Sequence, residues 1–96
     1  MIQHSVIFKL KHAKGSHEEN LFLSAAKELA VLPGVKNFQS LRQTSPKNKF
    51  DYGLTMEFDN QPAYDTYSSH PDHTRFIEEF WLKDVEDFLE IDYEAL

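Results

Sequence analysis

The chain has 96 residues, 41% of them hydrophobic and 14% aromatic, with ten basic and sixteen acidic side chains and a formal charge of −6. Folding at this length buries roughly 60–65% of the unfolded surface, enough for one core and a single domain over residues 1–96. A surface this negative repels phosphate backbones, so no nucleic-acid partner is expected, and the absence of cysteine excludes disulfides, thiolate metal sites and thiol nucleophiles.

The N-terminal stretch M-I-Q-H-S-V-I-F-K-L-K lacks the basic and long apolar regions of a signal peptide. No apolar run approaches the ~20 residues of a membrane span, so the expectation is a soluble, cytoplasmic protein with no membrane partner. This first stretch alternates instead. Ile2, His4, Val6, Phe8 and Leu10 share one face, and Gln3, Ser5, Ile7, Lys9 and Lys11 the other, which is the pattern of a half-buried strand. Ser16-His17-Glu18-Glu19 fits a capping box, and Leu21, Phe22, Ala25, Leu29 and Leu32 then recur at helical spacing until Pro33-Gly34.

Residues 35–44 read as extended, and Ser45-Pro46-Lys47-Asn48 as a turn. A clean strand follows, with Phe50, Tyr52, Leu54, Met56 and Phe58 on one face and Asp51, Gly53, Thr55 and Glu57 on the other. Asn60 and Pro62 open a short helix over about residues 61–69. Pro71 opens another, because proline suits the first helical position and pushes His70 out of the α region. Phe76, Ile77, Phe80 and Trp81 give that helix an apolar stripe, and Leu89, Ile91 and Tyr93 share one face of a closing strand.

The order β-α-β-β-α-β predicts a ferredoxin-like, split βαβ sandwich of the α+β class, a four-stranded antiparallel sheet with helices on one face. The other face carries Gln3, Ser5, Ile7, Gly53 and Thr55. A sheet with one bare face tends to acquire a second layer, and a second copy of the chain is the simplest one, so a homodimer is expected.

In order along nearly the whole chain, I-Q-H-S-V-I-F-K-L-K, L-P-G-V-K-N-F, F-D-Y-G-L-T-M-E-F, A-Y-D-T-Y-S-S-H-P-D-H-T-R-F and D-F-L-E-I-D-Y resemble the stress-responsive dimeric A/B barrel (Dabb) family. The resemblance implies a dimeric α/β barrel made by pairing two sheets, with the helices outside. Most members have no assigned activity, while some plant relatives are polyketide cyclases that use a tyrosine and a histidine of the Y-x-x-H-P-x-H element. Their equivalents here are Tyr67 and His73, with His4 lining the same pocket. A further pocket histidine of the plant pattern falls on Tyr52. Val6, Phe8, Tyr52 and Phe76 are expected to complete the pocket.

Each candidate also has a plain structural reading. His70 precedes Pro71 and is expected to cap the new helix. His73 lies in the first helical turn, where the helix dipole disfavours the imidazolium; it is either a neutral general base or a half-exposed helix residue with one hydrogen bond. His4, between Ile2 and Val6, is either a core histidine bonded to a tyrosine or the backbone, or a ring at a cavity wall. Tyr67 is either a pocket hydroxyl or a core aromatic whose hydroxyl reaches water.

The pair His70-x-x-His73 supplies too few ligands for zinc, which takes three in catalytic and four in structural sites, so no metal and no cofactor are expected. His12 and His17 read as solvated. Glu78, Glu79, Asp84, Glu86, Asp87 and Glu90 read as a charged outer face. Neither a phosphate-binding glycine loop nor a nucleophilic-serine elbow is present. Two functions remain. One is a module holding a small apolar or aromatic ligand between helices and sheet, with its precise activity unassigned. The other is a cofactor-independent, cyclase-like acid/base enzyme using His73 and Tyr67.

Overall fold

A computed structural model describes all 96 residues. The elements run β1 (Ile2–Leu10), α1 (His17–Lys27), a 3-10 turn (Glu28–Val31), β2 (Lys36–Arg42), β3 (Tyr52–Phe58), α2 (Gln61–Ser69), α3 (Pro71–Phe76), a π-helical turn (Ile77–Trp81), α4 (Leu82–Asp84) and β4 (Val85–Tyr93). All strand pairs are antiparallel, in the order β2-β3-β1-β4. The expected ferredoxin-like α+β sheet is therefore present, with the helices on one face. No helix is long and apolar enough to cross a membrane.

The core lies between that face and the helices. Phe8, Phe22, Phe58 and Met56 are its largest fully buried side chains. Phe22 of α1 sits 5.5 Å from both Phe8 and Phe76 and 6.0 Å from Trp81, ring centre to ring centre, so one residue ties α1 to β1, α3 and the π turn. Such tilted aromatic pairs add attraction beyond the area they bury.

Local chemistry explains most boundaries. The Ser16 hydroxyl accepts from the Glu19 amide at 3.2 Å, while the Glu19 carboxylate accepts from the Gly15 amide at 2.9 Å. The Ser16 amide is already bonded to the Ala13 carbonyl, which is why the carboxylate reaches one residue further back than a standard box requires. The apolar stripe expected to run helically to Leu32 tightens into a 3-10 turn after Lys27. Residues three apart line up in that geometry, so Leu29 and Leu32 both reach the core. Leu21, expected in the stripe, is instead 51% exposed; Phe22, Ala26 and Leu29 are the buried series. Asn60 accepts from the Ala63 amide to cap α2, and His70 Nδ1 accepts from the Asp72 amide to cap α3, as its place before proline predicts.

The two faces of the sheet differ in a way that β4 decides. Phe88, Glu90 and Asp92 lie opposite Phe8, Val6 and His4, on the helix side. Leu89, Ile91 and Tyr93 lie opposite Ile7, Ser5 and Gln3, on the open side. Across the open face, Leu41, Gly53, Ile7 and Leu89 form one row through all four strands. That face is consequently more apolar than β1 and β3 alone suggested.

Phe22→Ala should cost about 3–5 kcal/mol, a large share of the stability of a small domain, because the cavity left behind borders rings from three elements. Urea unfolding followed by circular dichroism checks this; a midpoint close to wild type would show that the aromatic cluster repacks without loss.

Candidate functional site

His4, Tyr67 and His73 border one cavity of about 390 Å³ between the helix layer and the sheet. Val6, Leu29, Leu54, Met56, Phe76, Ile77 and Trp81 supply much of its apolar wall, with Leu82 and Phe88, both largely exposed, at its edge. Of the residues expected to complete a pocket, Val6 and Phe76 line it; Phe8 and Tyr52 do not. Phe8 is fully buried behind the wall, and Tyr52 packs 5.9 Å from Phe8 with the Arg42 guanidinium over its ring. The strand alternation that places both on the helix side is blind to how far along the sheet the cavity extends.

Several elements converge here for identifiable reasons. β1 alternates so that His4 joins Val6 facing the helices. On α2, Tyr64 and Tyr67 are three residues apart and thus share a face, and both are buried. The break at His70-Pro71 turns the chain so that the His73 ring lies 4.6 Å from the Tyr67 ring. The π turn brings Ile77 and Trp81 into the wall, and such turns are frequent at functional sites.

His4 Nδ1 lies 2.6 Å from Asp92 Oδ1, so this nitrogen carries a proton and donates it to the carboxylate. No hydrogen bond joins it to His73. The Tyr64 hydroxyl stands 2.8 Å from the same nitrogen, 3.0 Å from Glu90 Oε1 and 2.9 Å from Asp92 Oδ2. One hydroxyl has one proton, so it donates to only one of the two carboxylates at a time. Burial, and then its bonds to Asp92 and Glu90, push the Tyr64 pKa well above its usual value, which keeps the phenol protonated. Both readings of His4 thus hold together: it is a core histidine bonded to a tyrosine, and its ring is part of a cavity wall.

Tyr67 is 3% exposed and its hydroxyl bonds to no protein group. Burial, helped by the Glu90 charge, raises its pKa strongly, so it too is a permanent donor. The half-buried His73 donates from Nδ1 to the Ser68 carbonyl at 3.1 Å. That bond fixes the neutral tautomer and leaves Nε2 as a free acceptor. Burial lowers the His73 pKa below its ordinary value, with the Ser68 bond opposing only in part and His4 adding to the depression.

Sequence reasoning overlooked Tyr64 and Asp92 and assigned Glu90 to an outer face; Glu90 and Asp92 are both exposed, but they lie on the helix side of the sheet, with Glu90 bordering the cavity. The available signal was the two-residue spacing of Glu90 and Asp92 on a strand, which sends both to the side opposite Leu89 and Ile91. Asp84 was misread as part of the outer face, and His12 as solvated. Asp84 is 5% exposed, and His12 Nε2 lies 2.8 Å from its Oδ1. His4, Glu90 and Asp92 also form the one group of three side chains spaced closely enough to ligate a metal, all within 4.8 Å. The Tyr64 hydroxyl already lies within 3.0 Å of all three.

The family model for the stress responsive A/B barrel domain matches residues 2–95. The chain belongs to this family. A Dabb family protein of Mesorhizobium loti with a ferredoxin-like fold is 50% identical, covering 99% of this chain and 96% of that one, with a TM-score of 0.97. A dimeric ferredoxin-like protein of unknown function from Bacteroides fragilis, 23% identical over 98% of this chain and 95% of its own, superposes with a TM-score of 0.75. A stress-response A/B barrel domain-containing protein of Arabidopsis thaliana is 27% identical over 99% of this Dabb chain, which spans only 37% of that relative's length.

The depressed pKa of His73 carries a sign. The folded state binds its proton less readily than the unfolded chain, so stability is full above the ordinary histidine pKa of 6.5 and falls as pH drops below it towards the folded value. A His73→Gln variant should lose less stability than wild type between neutral and mildly acid pH, and the NMR titration of the His73 ring should have its midpoint below 6.5. Parallel pH profiles for the two proteins would contradict this.

Proposed function

We propose that this Dabb domain acts, as one unit over residues 1–96, as a cytoplasmic homodimer that holds a small apolar or aromatic molecule between helices and sheet. The observation that carries this reading is a largely apolar cavity with His4, Tyr67, His73 and Glu90 along its wall, the usual make-up of a small-molecule site. The open sheet face supports the dimer. It bears Ile7, Ile91 and the substantially exposed Leu41, Leu89 and Tyr93, and similar folds are described as dimeric.

A second reading, cofactor-independent acid/base catalysis, is favoured by one pairing. His73 keeps Nε2 free as a base, and Tyr67, beside it, has a hydroxyl with no protein partner. In this reading His73 removes a proton next to a carbonyl, and Tyr67 donates a hydrogen bond to the oxygen on which charge develops. His4 and Tyr64 hold the wall in shape.

Phenylacetone tests both readings in one experiment, because Trp81 is the only tryptophan and stands in the cavity wall. Saturable quenching of Trp81 fluorescence, lost in His73→Ala with little loss of stability, is the expected result; His4→Ala should lower both binding and stability. Deuterium uptake at the ketone's α-carbon in D2O, by wild type and not by His73→Ala, would establish the enzyme reading. Absence of quenching would remove the cavity as a binding site.

For the dimer, sedimentation equilibrium should give twice the chain mass at micromolar concentration, and Leu89→Glu should give monomer. An obligate interface of this kind buries on the order of 2,000 Å² or more. Monomer mass for the wild type would contradict the dimer.

A further inference from the structure

The polar groups around the cavity are unbalanced in charge. The Glu90 carboxylate lines the wall, and His73 keeps Nε2 free as an acceptor. The single Tyr64 proton serves either Glu90 or Asp92, so one carboxylate is always left without it. On the donor side stand the Tyr67 and Ser68 hydroxyls and the Trp81 indole N–H, all uncharged, and no lysine or arginine lines the cavity. Glu90, exposed at the rim, is its one formally charged wall residue, and Asp92, also exposed, adds a second negative charge just behind Tyr64.

A ligand head that brings donors and positive charge satisfies this wall, whereas an anionic head meets like charge with no counter-ion. We propose that the cavity selects molecules with an apolar body and an ammonium head, held by Glu90, over those ending in a carboxylate or phosphate. This rests on the cavity being a ligand site and adds the chemical class it takes. The ammonium donates to the Glu90 carboxylate and to a free imidazole nitrogen, and the apolar body packs among Met56, Phe76, Ile77 and Trp81. The Tyr67 hydroxyl remains available to a further acceptor on the same molecule.

Three probes with one body separate the outcomes: 3-phenylpropylamine, 3-phenylpropanol and 3-phenylpropanoate, titrated at neutral pH against Trp81 fluorescence and confirmed by calorimetry. The expected order is amine, alcohol, carboxylate, with at least about a tenfold gap in Kd between the ends of the series. Glu90→Gln preserves the shape and an acceptor for Tyr64 but removes the charge. It should abolish the advantage of the amine over the alcohol and strengthen carboxylate binding.

Glu18→Gln, an exposed carboxylate at the start of α1, removes the same net charge and should change nothing. Equal binding of the three probes, or a preference that survives Glu90→Gln or falls equally with Glu18→Gln, would overturn the charge selection and leave the cavity standing as a site. Failure of all three to bind would overturn the ligand site, and the selection with it.

Discussion

The register of β4 against β1 governs both faces of the sheet. Side chains of a strand alternate, so placing Asp92 opposite His4 sends Glu90 and Asp92 towards the helices and Leu89, Ile91 and Tyr93 away from them. A slip of one residue would exchange the two sets. The helix side would then gain an ordinary apolar lining, and the open side a row of carboxylates. The start of β4 is held by the Lys11 amide on the Asp84 carbonyl at 2.8 Å and by His12 on the Asp84 carboxylate. Further along, the Ser5 hydroxyl donates to the Ile91 carbonyl at 2.8 Å. An irregularity between Lys9 and Leu10 absorbs the one-residue mismatch between these anchors.

That register accounts for a polar cluster at the rim of an apolar layer, with His4 buried and the two carboxylates exposed. An imidazole on the buried face of β1 would cost about 1–3 kcal/mol if left without a partner. Asp92 and Tyr64 remove that cost. With the sheet side of the cavity fixed in this way, the break at His70-Pro71 can set Tyr67 and His73 side by side across from it. Two kinds of donor result: Tyr64 is committed to the wall, and Tyr67 is open to the cavity. The same inversion of β4 leaves an apolar open face, so a charged cavity and a face suited to a second copy follow from one strand.

Much of this was legible in the sequence because it rests on local rules. Period-two alternation marked β1 and β3, proline and its neighbours marked the starts of α2 and α3, and His70 read correctly as a cap. His4 stood out as a polar residue in an apolar series. The cluster around it was not legible, because Tyr64 reads locally as one more aromatic on a short amphipathic helix, and its partners lie 60 residues before it and 26 and 28 after it. Glu90 and Asp92 belong to a run of acidic residues that local reasoning assigns to solvent. Only the pairing of the first strand with the last reveals which way they point. Phe8 and Tyr52 fail as pocket residues for a related reason: they share the correct face but sit where Phe22 and the core have already filled the space.

Isotope-filtered NMR on a mixture of labelled and unlabelled chains tests the central assignment of β4's two faces most directly. The account predicts intermolecular contacts from the methyl groups of Ile7, Leu89 and Ile91 and none from Val6, Leu54 or Met56, which face the cavity within one chain. Intermolecular contacts running instead through Phe88 and Leu82, at the edge of the cavity, would place the second copy on the helix side and contradict it.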